Sequence, residues 1–295
     1  MSLRVAAVKG PALTGRPAIT LPARAHLINQ HRTNPMKYSL RLISVILAAS
    51  VLHAGAQSAP VTAAVGRPTV VLVHGAWADG SSWSKVIPLL QAKGIRVLGV
   101  QNPLTSLADD VAATKRVLAD VDGPVVLVGH SWAGTVITEA GTDPKVKALV
   151  YVAAFANKEG QTGGDLVGAY PKPPALGTVW DDGKGFLRQT EQGMIENFAP
   201  DLSREEARTL FATQGPLAAS TFGDKVTTPA WRTVPSWYIV SANDRVISPQ
   251  MERDLAAQMK AKTTVLASSH VSLLSHPREV AAVIEEAATA VARGQ

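Results

Sequence analysis

Gly129-His130-Ser131-Trp132-Ala133 sets a serine among small residues, after the apolar run Pro124 to Val128 and before a helical pattern from Gly134 to Ala140. A serine on so tight a strand-to-helix turn projects its hydroxyl above a sheet, at the N-terminus of the following helix. Gly129 stands two residues before it. Two residues after it, where a second glycine is usual, this chain has Ala133, with Gly134 next. The chemistry that suits this turn is nucleophilic attack. A hydroxyl does that poorly until a base removes its proton.

Beyond residue 57 the bases on offer are His74, His130, His270 and His276. His74 follows the run Thr69 to Val73 and reads as a loop brace. His130 adjoins the serine inside the turn, so its side chain is expected to point elsewhere. His276 precedes Pro277 and is expected to cap the last helix. His270, in Ser268-Ser269-His270-Val271, follows the last strand pattern and is the expected base. A base of this kind needs an orienting carboxylate. Asp244, in Ser241-Ala242-Asn243-Asp244-Arg245, directly follows another strand pattern. The order Ser131, Asp244, His270 fits a sheet that carries all three on loops at one edge. Acyl transfer also needs two N–H groups aimed at the developing oxyanion. The backbone of Trp132 and that of Ala76, in His74-Gly75-Ala76-Trp77, are the expected pair. Rival chemistries lack their parts. There is no Gly-rich phosphate loop with lysine, no H-E-x-x-H and no cysteine.

The elements that must position these residues read as an α/β pattern. Thr69 to Val73 is a continuous β-branched run of the kind buried on both faces, and Arg96 to Val100, Pro124 to Val128 and Val146 to Val152 read as further short strands. Ser236 to Val240 and Thr263 to Ala267 resume the series. Between them lie helical patterns at Ser82 to Lys93, Gly134 to Ala140, Pro249 to Met259 and Pro277 to Ala292. Another opens at Ser106-Leu107-Ala108-Asp109, a capping-box pattern, with Leu107, Val111, Val117 and Leu118 on one face. Alternation at these lengths predicts a mostly parallel, twisted sheet with helices on both faces. Residues 157–233 interrupt it. They are rich in Gly, Pro and polar residues, carry weak strand signals, and open one helix with the capping box Ser203-Arg204-Glu205-Glu206. They are expected to form a cap over the carboxyl edge of the sheet. Trp77, Trp132 and Trp180 are candidates for apolar lining of a pocket.

The net charge of +6 is misleading about partners. Residues 1–56 hold seven Lys or Arg and no acid, which leaves 22 basic against 23 acidic residues in the remainder. The remainder has no basic stripe interleaved with aromatics, so no nucleic-acid surface is expected. From Met36 the leader reads as a signal peptide. Lys37 and Arg41 precede the apolar run Leu42 to Leu52, and Ala54-Gly55-Ala56 is a small-residue cleavage site. The apolar run is too short for a stable membrane anchor. The expectation is a non-native or disordered extension at 1–35, a signal peptide at 36–56, and a periplasmic or secreted domain at 57–295.

With these motifs in place, the chain resembles the α/β-hydrolase superfamily over residues 57–295. It is most similar to the branch that holds small bacterial esterases, plant methylesterases and hydroxynitrile lyases. The resemblance is carried by VLVHGAW at 71–77, VGHSWAG at 128–134, SANDRVISP at 241–249 and SHVSLLSHP at 269–277. It implies an α/β-hydrolase fold, a catalytic His270, a cap after the sixth strand of the fold, and neither a metal nor an organic cofactor. The lyases of the branch have Thr where this chain has Gly75, and Lys where it has Val271. Hydrolysis of a small-molecule carboxylic ester is therefore expected. Amide, lactone or C–C hydrolysis, perhydrolysis, and non-enzymatic ligand binding stay open as alternatives on the same residues.

Overall fold

The fold is described from a computed structural model, over residues 66–294. The signal-peptide pattern at 36–56 and the extension at 1–35 lie outside the described residues. Six strands form one parallel sheet: β1 (Thr69–Val73), β2 (Val97–Val100), β3 (Val125–His130), β4 (Val146–Val152), β8 (Ser236–Ser241) and β9 (Lys262–Leu266). Their spatial order is β2-β1-β3-β4-β8-β9. Every residue of β1 and β3 is buried, which is why these strands read as unbroken Val and Leu runs rather than as alternation.

Crossovers between parallel strands are right-handed. The step from β1 to β2 runs one way along the sheet, and the later steps run the other way. That puts α1 (Ile87–Ala92) on one face and α2 (Leu107–Ala119), α3 (Ala133–Ala140) and α7 (Pro249–Gln258) on the opposite face. The closing helix α9 (Pro277–Ala292) packs on α1 and lies along β1, β3, β4 and β8. The direction of winding reverses between β1 and β3. In open sheets a crevice forms at such a point, outside the carboxyl ends of the strands. The loops after β1 and β3 are those that carry Gly75 and Ser131.

Some local expectations change. The helix expected over Ser82 to Lys93 splits into a tight turn at Gly80–Trp83 and α1. Pro88 has no N–H to offer the preceding turn, but it fits the first turn of a new helix. Ser106 accepts the Asp109 N–H, yet the return arm of the capping box is absent, because Asp109 takes the hydroxyls of Thr105 and Ser106 instead. The box at Ser203 is complete, with Glu206 accepting from the Ser203 N–H, and opens α6 (Arg204–Thr213).

The insertion between β4 and β8 holds more strand than its sequence signals. β5 (Val179–Asp181), β6 (Phe186–Gln189) and β7 (Leu217–Ala218) form a small antiparallel sheet. These strands are too short to display alternation. Their clearest mark is the turn Asp182-Gly183-Lys184-Gly185, where both glycines adopt positive φ. The other helices of the insertion are α4 (Gly163–Gly168) and α5 (Glu191–Gly193), which runs into a wide π turn at Met194–Phe198. A short helix, α8 (Ser272–Ser275), precedes α9. No helix among the described residues is long and apolar enough to cross a membrane.

α3 approaches the chain after β4 so closely that a side chain at Gly134 has no room. A Cβ there would lie 2.0 Å from the Phe155 carbonyl oxygen and 2.8 Å from the Ala154 methyl. Backbone cannot yield as a flexible side chain does. Gly134→Ala is expected to lower unfolding free energy by about 1–3 kcal/mol or more, read from urea denaturation.

Candidate active site

β3 ends in a backbone reversal. Ser131 has φ +56°, a region that non-glycine residues rarely occupy, at a cost of roughly 1–3 kcal/mol. Its neighbours hold it there. The Ser131 N–H donates to Val152 O at 3.2 Å, and Ser131 O accepts from the N–H groups of Gly134 at 2.9 Å and Phe155 at 3.2 Å. The reversal is thus fastened to the end of β4 and to the start of α3. It lifts the hydroxyl away from the sheet.

The loop after β1 is pressed against this turn. A Cβ at Gly75 would come within 2.7 Å of the Ser131 Cβ and 2.9 Å of His130 O, so in this chain the loops meet this closely because position 75 carries no side chain. Trp77, with φ +55°, turns the loop away and donates its indole N–H to Leu187 O on β6 at 3.0 Å. Among the described residues, the N–H groups of Ala76 and Trp132 donate to no protein acceptor. Two free donors beside a nucleophile are what an oxyanion site requires.

Ser131, His270 and Asp244 come together, although 26 and 139 positions separate His270 from the other two. The Ser131 hydroxyl lies 2.8 Å from His270 Nε2, and His270 Nδ1 lies 2.5 Å from Asp244 Oδ2. A carboxylate only accepts, so Nδ1 carries the proton and Nε2 is left as the acceptor for the hydroxyl. Asp244 is fixed by its own loop: its Oδ1 accepts the N–H groups of Val246 at 2.6 Å and Ile247 at 2.9 Å. All three side chains are buried. A neutral imidazole between a hydroxyl and a carboxylate can take the hydroxyl proton and be stabilised once charged.

These loops are those of a known family, which matches residues 70–283 under the description Alpha/beta hydrolase family. The chain belongs to the alpha/beta hydrolase family. One relative is a pyrethroid hydrolase from Sphingobium wenxiniae, 26% identical over 256 residues that cover 76% of this chain and 88% of the relative. A carbendazim hydrolyzing esterase from a Nocardioides species is 34% identical over 123 residues, covering 36% of this chain and 49% of the relative. Among solved structures, an Arabidopsis methylesterase superposes with a TM-score of 0.62 at 21% identity, covering 75% of this chain and 99% of the other.

The remaining histidines of this hydrolase take supporting places. His74 accepts the Asn102 N–H on Nε2 at 2.9 Å, so its Nδ1–H is the donor to Gly75 O, also at 2.9 Å. Burial holds it below the usual histidine range. It braces the loop as expected. His276 corrects its expectation: it stands at the N-cap position of α9 but makes no capping bond, and its Nδ1 meets the Ser275 hydroxyl at 2.9 Å instead. Pro277 already removes one of the donors a cap would serve. His130 makes no bond to the Ser131 hydroxyl, which pairs with His270, but it is not idle. Its Nε2–H donates to the His270 carbonyl at 2.9 Å, and burial, then the neighbouring His270, hold it well below the usual histidine range. Nothing in the sequence except its adjacency to Ser131 marks that role.

Asp110 and Asp201 are among the acids that escaped the sequence reading. Asp110 is buried and accepts the Trp132 indole N–H at 2.7 Å and the Leu104 N–H at 2.8 Å. Burial pushes its carboxyl up to about 6 despite those bonds. Its sequence signal is an acid on the apolar face of α2, in helical step with Leu107, Val111 and Leu118. Asp201, in the insertion, accepts both the N–H (2.7 Å) and the hydroxyl of Ser269. Phe198 sets its ring edgewise to His270 at 5.1 Å, and Asn197 accepts from Arg245 Nε at 2.9 Å. The residues beside Asp244 and His270 are thereby tied to one stretch of the insertion. Trp77 and Trp132 are buried, but Trp180 is 53% exposed on β5, in a groove with Arg188 and Phe211 that contains no triad residue.

The bond to Ser269 holds the loop that carries His270. Asp201→Ala, which removes both bonds to Ser269, is expected to lower kcat about tenfold or more, while KM changes less than threefold. Steady-state kinetics beside thermal melting test this. A loss of stability with unchanged kcat would assign Asp201 to folding alone.

Proposed function

We propose that this hydrolase cleaves a small carboxylic ester through an acyl-enzyme on Ser131. The observation that carries the reading is the continuous hydrogen-bonded line from Ser131 Oγ through His270 to Asp244. The esterase and hydrolase names of its relatives support the same reaction class.

In this reading Ser131 Oγ attacks the ester carbonyl carbon as its proton passes to His270 Nε2. The carbonyl oxygen becomes an oxyanion facing the N–H groups of Ala76 and Trp132. Collapse breaks the C–O bond, and the alcohol leaves with the proton from His270. Water then attacks the acyl-enzyme, His270 takes its proton, and the acid departs as Ser131 recovers its hydrogen. Asp244 keeps Nδ1 protonated throughout and stabilises the imidazolium in both steps. The insertion serves as a cap: its Phe198 sets its ring beside His270 and 6.3 Å from that of Trp77 in the loop after β1, an aromatic pair suited to an apolar acyl or alcohol group. The leader pattern supports export, with cleavage after Ala56. N-terminal sequencing of the exported protein should begin at Gln57, and a peptide from 36–56 in that protein would refute it.

Triad members act as a unit, so their losses do not add. Ser131→Ala is expected to cut hydrolysis of 4-nitrophenyl acetate by about 10⁴-fold or more, and adding His270→Ala should cost little beyond that. His276→Ala should stay within about threefold of the parent, since its ring meets Ser275 and not the triad. Full additivity of the first two losses, or an inactive His276 variant with an active His270 variant, would overturn the assignment. Circular dichroism on each variant confirms folding.

A further inference from the structure

The loop that carries Asp244 joins β8 to α7, and a second acid lies beneath it. Glu252 stands in the first turns of α7 and has no exposed surface. Its Oε2 accepts the Ser241 N–H at 2.8 Å, at the end of β8. Its Oε1 meets no donor among the described residues. The acid beside it is Asp244, whose N–H donates to the carbonyl of the same Ser241 at 3.2 Å and whose charge acts on Glu252.

Two ionised carboxylates are both acceptors, and neither could satisfy the other in a dry interior. One proton removes the conflict. It turns Glu252 into a donor and leaves a single negative charge for the pair. The partners decide which acid holds the charge. Asp244 has two backbone N–H groups and the His270 imidazole, whereas Glu252 has one N–H. We propose that Glu252 is a positioning residue for the reaction at Ser131, a neutral acid whose proton is donated in a hydrogen bond to Asp244.

Other charged or titratable groups face the same place. Tyr238 on β8 is buried and held neutral, its hydroxyl donating to Ala154 O. Arg253, the next residue of α7, favours the ionised form of Glu252 but turns its Nη1 to Pro249 O at 3.1 Å. His270 bonds to Asp244. Against Arg253, burial and then the Asp244 charge push the Glu252 carboxyl well above the usual range. The proposal rests on the triad reading above. A donor on Asp244 fixes its carboxylate plane and draws off part of its charge. The imidazolium is then stabilised less, so His270 stays available as a base to lower pH.

The test compares Glu252→Gln and Glu252→Leu in the full mature chain, with 4-nitrophenyl acetate across the acid limb of kcat/KM. Gln keeps a neutral donor and acceptor, so the limb should stay within about 0.3 pH unit of the parent. Leu removes the donor, so Asp244 holds the imidazolium more tightly and the limb should move up by about one pH unit, with kcat about tenfold lower and KM little changed. An ionised Glu252 gives the opposite sign for Gln, because losing a negative charge moves the limb down. That downward shift, or a Leu variant whose limb does not move, overturns the proposal. Should the Leu variant not fold, infrared difference spectra between the parent and Glu252→Gln decide. A protonated-carboxyl band near neutral pH that vanishes in the variant is expected, and its absence from the parent overturns the proposal. Labelling of Ser131 by a fluorophosphonate keeps the two readings apart. An unlabelled parent sinks the triad and the positioning role together, whereas a labelled parent with a shifted Gln variant sinks the Glu252 proposal alone.

Discussion

A hydroxyl, an imidazole and a carboxylate lie buried in one line, and the ring of His270 is satisfied only by the two groups on either side of it. Burying such groups costs several kcal/mol apiece unless every bond is made. That condition governs the architecture around them. Three loops from distant parts of the chain must arrive within hydrogen-bonding tolerance of one another. The parallel sheet brings them to one edge, because strands that all run the same way end on the same side. The strain at Ser131 follows from the same demand: only a reversed backbone points the hydroxyl at the ring and not along the strand.

The shell around the line is largely neutral. His74 and His130 are buried and uncharged, so the two nearest imidazoles add no positive charge to compete with His270 for the carboxylate. His130 serves through its proton, which it gives to the His270 carbonyl. Asp110 holds the indole of the residue that follows the nucleophile. In a low-dielectric site each such choice of protonation state matters more than it would in water.

Much of this was legible in the sequence, for identifiable reasons. The six strands of the main sheet are buried on both faces or end in loops full of Gly, Ser, Asn and Asp, so their limits stand out as changes of composition. Ser131, Asp244 and His270 were legible because each follows such a strand directly. The three-stranded sheet of the insertion was not, since strands of two to four residues cannot show a period. The supporting residues were harder still. Asp201, Phe198 and Glu252 act through contacts across the chain, and no spacing encodes a contact. Asp110 is the exception, since an acid in step with an apolar helix face has to find a partner.

The ties between the insertion and the catalytic loops constrain how such a protein can change what it accepts. Asn197, Phe198 and Asp201 lie in one stretch, and each holds something the chemistry depends on. The β5–β6 hairpin, with Trp180 at the surface, is bonded instead to the loop after β1, where the Leu187 carbonyl accepts the Trp77 indole N–H. Evolution, or an engineer grafting segments between homologues, therefore meets two kinds of ground within one insertion. The hairpin can be exchanged provided a carbonyl remains to take the Trp77 indole N–H. The stretch from Met194 to Leu202 has to travel together with the loops after β8 and β9, as a co-inherited module.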